Sequence, residues 1–472
     1  MKTKILIISV FMIMINFVSG QNIVGNWNGV LKVQGVQLHI VFHVSKSDGG
    51  FSATMDSPDQ GANGIPMTKV TFENSILNIE MTSANIEYVG TVKNDTVFGT
   101  FKQSGLSIPL NLSKNETMKE TVKEAFNRPQ NPIKPYPYYS EDITFENKNA
   151  NILLAGTLTL PKKEGKFPAV ILITGSGPQN RDEELMGHKP FLVLSDYLTR
   201  HGIAVLRYDD RGTFASKGNF AKSTTFDFAT DVESALTYLK TRDEIDPKHI
   251  GLIGHSEGGI IAPIVAVNDR TVSFIVLMAG TGISGAELLI LQQEAIGKAM
   301  GVSEEKLNET VDINRNLFKI VEQNNDSATI AEKLKAFLNS KLKENPTLDM
   351  SKVSNPETII QHQIAVITSP WMINFIKYNP ESMLEKVQCP VLAINGDKDL
   401  QVPSKVNLPA IENALKKGGN KYFTIKELPG LNHLFQECKT GLPKEYSEIE
   451  QTISPLALET ITNWIITVIH RR

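Results

Sequence analysis

Residues 251–265 read GLIGHSEGGIIAPIV. A short apolar run ends at Gly254, a serine follows between glycines, and an apolar run of helical length begins at Gly258. Gly254, His255, Ser256, Glu257 and Gly258 make a Gly-x-Ser-x-Gly pattern between a strand and a helix. In that setting a sharp turn lifts the serine hydroxyl clear of a sheet. Only glycine fits flanks where backbone approaches backbone so closely, and the helix start beyond the serine favours developing negative charge. The bare pattern is common by chance, so taken alone it leaves Ser256 equally readable as a turn serine.

The surroundings decide between the two. Strand-like runs FPAVILIT, GIAVLRY, HIGLIGH, SFIVLMA, CPVLAIN and KYFTIKEL recur after residue 166, and helix-like stretches such as KPFLVLSDYLTRHG and TFDFATDVESALTYLKTRDEI separate the first of them. Near-continuous apolar strands are those of a parallel sheet buried on both faces, and their alternation with helices predicts a doubly wound α/β sheet. EDITFEN and ILLAGTLTLPKK, ahead of these runs, read as an antiparallel edge. From about 284 to 386 the strand pattern gives way to helical spacing, as in GAELLILQQEAIGKAMG; a helical cap inserted in the sheet domain is the preferred reading, a separate helical domain the other.

The first part of the chain differs. Between Ile23 and Leu112 short period-2 segments alternate with turn signals, which predicts about eight strands in a small all-β barrel or sandwich spanning 21–115. His39 and His43 share one face of LHIVFHV, but no carboxylate cluster or third histidine lies nearby, so an ordinary pair is preferred to a metal site. Prolines between residues 116 and 140 mark a semi-rigid linker, with the sheet domain running from 141 to 472. Few contacts are expected to cross that boundary.

At 472 residues the chain exceeds one ordinary domain of roughly 100–200 residues. A net charge of −3 leaves no basic footprint for nucleic acid. Lys2 and Lys4, an apolar stretch from Ile5 to Val18 and small residues ending at Gly20 have the layout of a secretory signal peptide over residues 1–20. The expectation is an exported protein, periplasmic or extracellular, beginning near Gln21 and without a stable membrane anchor. The two cysteines, Cys389 and Cys438, permit a disulfide, though a buried thiol at Cys389 is the simpler reading.

A serine hydroxyl needs a base within hydrogen-bond reach and an acid to orient that base; in this architecture they follow in the order Ser, acid, His. Asp397 and Asp399 follow the strand CPVLAIN, and His433 lies in the loop after the next strand. An oxyanion requires two N–H donors, for which Glu257 and Ser176, in the glycine-rich loop ITGSGPQNRDEE, are the candidates. No metal or organic cofactor is required by this chemistry.

From about residue 141 onward, GSGPQNRDE, RYDDRG, GHSEGGIIAP, TSPWM, GDKDLQVP and LNHLFQ together resemble the α/β-hydrolase superfamily, and within it bacterial EstD-type serine esterases with serine-peptidase-like relatives. The resemblance implies Ser256, Asp399 and His433 as catalytic triad, Gly396 and Asp399 matching the family's GxxD. Asp397 then binds N–H groups of its own turn. An ester is the implied substrate. A serine peptidase of aminopeptidase or acyl-peptidase type is the alternative, as is a glycan- or lipid-binding protein with a secondary hydrolase domain; no residue identifies a partner for the β unit. Trp371, Phe375 and Tyr378 are candidates for an acyl pocket. Similar proteins carry a glycine near Phe214 or Ala215, and Pro263 should kink the helix after Ser256.

Overall fold

The computed structural model describes residues 23–33, 36–47, 50–58, 62–81, 86–103, 106–114, 128–344 and 356–470. The expected signal peptide, and residues 115–127 at the start of the linker, lie outside the described residues.

Among the described residues, nine strands precede the linker: β1 (Gly25–Val33), β2 (Val36–Ser47), β3 (Gly50–Ser57), β4 (Ala62–Pro66), β5 (Lys69–Glu73), β6 (Ile76–Met81), β7 (Ile86–Lys93), β8 (Thr96–Gln103) and β9 (Leu106–Ser113). They form one antiparallel sheet in the order β4-β3-β2-β1-β9-β8-β7-β6-β5, a strand more than expected. The sheet curls: Met67 N–H donates to Ala53 O in β3, and its neighbour Thr68 N–H donates to Glu80 O in β6. Two adjacent residues thus tie opposite ends of the strand order into a half-barrel, with Trp27, Phe42, Tyr88 and Phe101 buried on its inner face. His43 bonds Asn26 and Asp56, at 2.8 and 2.7 Å.

The second sheet has eight strands: β10 (Tyr139–Asn147), β11 (Ile152–Leu160), β12 (Phe167–Ile173), β13 (Ala204–Tyr208), β14 (Ile245–His255), β15 (Ile275–Met278), β16 (Val391–Gly396) and β17 (Phe423–Leu428). Their order is β10-β11-β13-β12-β14-β15-β16-β17. β10 and β11 form the antiparallel edge, and the remaining six strands run parallel. This is the α/β-hydrolase fold with an all-β domain before it.

Alternation along the strands feeds two cores. Ile171 and Ile173 face α2 (Thr225–Lys240), α3 (Gly258–Asn268) and α10 (Ser404–Lys417), whereas Val170 and Leu172 face α1 (Pro190–Arg200) and α11 (Pro455–His470). Among the described residues, six helices lie between β15 and β16: α4 (Gly285–Ala299), α5 (Glu304–Glu322), α6 (Ser327–Glu344), α7 (Pro356–Ile367), α8 (Pro370–Lys377) and α9 (Glu381–Leu384). Their own core joins Leu317, Val321, Ile330, Leu334, Ile360 and Ile376, while Leu288 of α4 and Phe375 of α8 belong to the sheet core. The helices therefore close over the sheet as a cap. α3 runs without a break through Pro263, which leaves the Gly259 carbonyl without its usual helical donor.

The linker is less independent than its prolines suggest. Arg128 donates to the carbonyls of Ile449, Ser447 and Met186, and Gln130 bonds the backbone of Thr452 and Ile453. Residues 128–130 are thus docked on the hydrolase domain, contrary to the expectation of few crossing contacts. No disulfide joins Cys389 and Cys438, and no helix among the described residues is long and apolar enough to cross a membrane.

Candidate active site

Parallel strands deliver their carboxyl ends to one edge of the sheet, and β12, β14, β16 and β17 bring the candidate residues there. Ser256 directly follows β14 with φ +52°, a left-handed conformation that a non-glycine residue keeps only when its surroundings enforce it. Its N–H donates to Met278 O at 2.8 Å. A Cβ on Gly254 would stand 2.0 Å from Gly258 O, and one on Gly258 would stand 2.2 Å from Ile173 O. Both glycines are therefore steric requirements of the turn.

Asp399 and His433 meet. His433 Nδ1 is 2.8 Å from Asp399 Oδ2, and Asp399 Oδ1 accepts the N–H groups of Gln401 and Val402, both at 2.8 Å. Both side chains are buried. Because that carboxylate can only accept, His433 Nδ1 carries the proton and Nε2 is left as the basic nitrogen. Asp397 does not reach the imidazole; its Oδ1 accepts Gly430 N–H at 2.6 Å, which lies in the loop of His433 rather than in its own turn. Asn432 braces the same loop by accepting the N–H groups of Leu434 and Gln436.

The loop after β12 lies against the serine: a Cβ on Gly175 would be 3.3 Å from the Ser256 Cβ. Buried carboxylates hold it in place. Asp210 accepts Thr174 Oγ1 and Gln179 N–H at 2.7 and 2.9 Å, and Asp209 accepts the N–H and guanidinium of Arg181. Burial pushes the Asp210 carboxyl well above the usual range, and these hydrogen bonds only partly offset it. GSGPQNRDE and RYDDRG are therefore two halves of one scaffold. Phe214, where a glycine was expected, adopts φ +44° and is half exposed, so the loop keeps its left-handed turn despite the bulky residue.

Ser176 and Ser256 share a cavity of about 200 Å³ whose wall includes Ile260, Leu288, Leu289, Trp371 and Phe375. Tyr378 is not on that wall and instead packs edge-on against Phe226. The Glu257 carboxylate accepts Thr225 Oγ1 and Trp371 Nε1, at 2.7 and 2.8 Å, and also a bond from the Ser176 side chain. Burial raises its pKa above the ordinary carboxylate value. A second cavity, about 570 Å³, lies along α4 and α5; Leu289 and Gln292 line both, and Ile296, Leu307, Phe318 and Met372 line the second.

Sequence reasoning missed Glu183, Asp209, Asp210 and His255. Glu183 Oε1 accepts Gly175 N–H at 2.7 Å and lies 2.9 Å from His255 Nδ1, while His255 Nε2 lies 3.0 Å from the His433 carbonyl oxygen. The paired aspartates after a buried strand were the available signal.

This sheet, with a glycine-flanked serine after its central strand and an acid–histidine pair at the ends of the next strands, defines a serine hydrolase of the α/β-hydrolase class. The chain belongs to the X-Pro dipeptidyl-peptidase family (S15), whose model matches residues 150–416, more than half of the sequence. That span contains Ser256 and Asp399 and ends before His433. The chain is 28% identical to Esterase EstD of Thermotoga maritima over 339 residues, 70% of each protein. Among solved structures, it is similar to Est1E of Butyrivibrio proteoclasticus with ferulic acid bound (18% identity, 70% of this chain and 99% of that one, TM-score 0.41). The Pyrococcus furiosus esterase Pf2001 is another (15% identity, 73% and 97%, TM-score 0.42).

Proposed function

We propose that the protein hydrolyses carboxylic esters through an acyl-enzyme on Ser256. His433 Nε2 takes the serine proton as Oγ attacks the carbonyl carbon, then returns it to the leaving alcohol; water repeats the sequence to release the acid. Asp399 holds the required tautomer and stabilises the imidazolium. The N–H groups of Ser176 and Glu257, the latter at the start of α3, receive the oxyanion.

The observation that carries this reading is the buried Asp399–His433 pair, its acid fixed by two backbone N–H groups and its histidine loop held 3.0 Å from the ring of His255, the residue before a serine at positive φ. The likeness to Esterase EstD supports an ester, and the family name supports an X-Pro peptide as the second reading. The cavity favours the ester: Glu257, the one carboxylate on its wall among the described residues, is already engaged by Thr225, Trp371 and Ser176 rather than turned to a peptide's α-ammonium. Its apolar wall suits an acyl chain, and the second cavity gives that chain a continuation.

Hydrolysis of nitrophenyl esters and of X-Pro nitroanilides by the same preparation tests the choice. Esters should be cleaved far faster, and the reverse order would make the protein a peptidase. Export rests on the leader-like residues 1–20; an amino terminus near Gln21 on protein recovered outside the cytoplasm would support it, and an intact Met1 would count against it.

A further inference from the structure

His255 is 6% exposed and stands immediately before Ser256. Both its ring nitrogens meet oxygens: Nδ1 the Glu183 carboxylate and Nε2 the His433 carbonyl. A carbonyl can only accept, so Nε2 carries a hydrogen. The Nδ1 contact also needs one proton, on nitrogen or on Glu183. The same Glu183 Oε1 accepts Gly175 N–H at 2.7 Å, which favours the ionised carboxylate, and imidazole is the stronger base by roughly two pKa units. The proton therefore sits on Nδ1.

We propose that His255 is an imidazolium at neutral pH and that, with Glu183, it forms a positioning pair clamping the oxyanion loop and the base loop to the nucleophile turn. The roles of those loops rest on the reading of Ser256 and His433 given above. One carboxylate oxygen fixes Gly175, next to Ser176; the imidazolium fixes the carbonyl of His433; and the connection between them is the residue before the serine. Glu183 itself has φ +51°, a backbone strain that persists only where the surrounding structure imposes it.

Burial opposes the charge on His255, but Glu183, through its charge and hydrogen bond, the His433 carbonyl and the Asp399 charge outweigh it and carry the pKa above the ordinary histidine value. The other groups facing the ring are the His433 imidazole, with centroids 4.8 Å apart, and the uncharged Phe435 ring at 6.3 Å. Neither removes the charge of Glu183. A raised folded-state pKa means that His255 keeps its charge to a higher pH than an ordinary histidine, and the clamp loosens as pH rises through that value.

The charge is read directly from nitrogen-15 NMR of the histidine-labelled full chain at pH 7.5, with His255→Gln assigning the signals. An ordinary imidazole, pKa about 6.5, is roughly nine-tenths neutral there. His255 should show hydrogens on both ring nitrogens, and a neutral tautomer overturns the proposal. Glu183→Gln keeps an acceptor for Gly175 but removes the charge; kcat should fall about 10- to 100-fold with little change in KM, and the alkaline limb of the pH profile should move to lower pH. Wild-type kcat with an unmoved limb refutes the positioning role. If the wild-type chain fails to react with a fluorophosphonate, the reading of Ser256 fails, while the NMR result still decides the charge of His255.

Discussion

Replacing Asp399 with asparagine changes one atom and should nearly silence the enzyme. The amide oxygen can keep the N–H groups of Gln401 and Val402, now bound to Oδ1 at 2.8 Å, so the turn should hold to within about 1 kcal/mol. The amide nitrogen then faces His433 Nδ1, where the carboxylate oxygen stood. A donor there forces the hydrogen of the imidazole onto Nε2, which can no longer accept the serine proton. The expected loss in kcat is about 10²- to 10⁴-fold, equivalent to about 2.7 to 5.4 kcal/mol of transition-state stabilisation. Asp397→Asn is the control, since its oxygen can still accept Gly430 N–H; turnover should stay within about threefold. Both variants are assayed on one nitrophenyl ester at saturating concentration, with melting curves to establish folding. If Asp397→Asn is the inactive, folded variant, the acid has been misassigned.

Three further outcomes are expected. A chain beginning at Arg128 should melt several degrees above one beginning at Tyr139, because only the first keeps the Arg128 and Gln130 bonds to the hydrolase domain; equal melting temperatures would make those bonds unimportant. His188 is pushed down to about 4 by burial, with the Arg128 charge adding to it. In the unfolded chain it titrates near 6.5, so stability should be complete above that pH and fall by up to about 3 kcal/mol as pH drops toward 4; urea melts that stay as steep in His188→Gln would assign the loss elsewhere. Acyl-chain length should also matter. Ile296 lies seven positions beyond Leu289 along α4, about 10.5 Å, which an extended chain crosses in about nine bonds. From butyrate to decanoate esters, kcat/KM should rise by up to about fourfold per methylene, and Ile296→Arg should remove the gain for the longer esters alone; a preference that stops at butyrate would exclude the second cavity.

What the sequence revealed was local. Buried parallel strands write themselves as apolar runs, the glycine-flanked turn is specified within five residues, and Asp399 and His433 each follow a recognisable strand. The remainder depends on contacts between distant positions. Glu183 meets His255 across 72 residues, and Arg128 meets Ile449 across 321; neither leaves a period or spacing to read. Asp209 and Asp210 were visible as a pair, but only the fold shows that they brace Thr174–Arg181. The extra strand of the half-barrel escaped because five-residue segments such as Ala62–Pro66 carry little alternation. α10 and α11 carry apolar positions that face the two cores only once the sheet is in place.

An activated Ser256 nucleophile is what the proposed hydrolysis depends on most. Full-length protein treated with a fluorophosphonate and digested for mass spectrometry should carry one adduct, on the peptide containing Ser256, and ester hydrolysis should disappear in proportion to labelling. Ser256→Ala should be folded, unlabelled and at least about 10³-fold slower. An adduct on a different residue, or full ester hydrolysis by Ser256→Ala, would contradict the account.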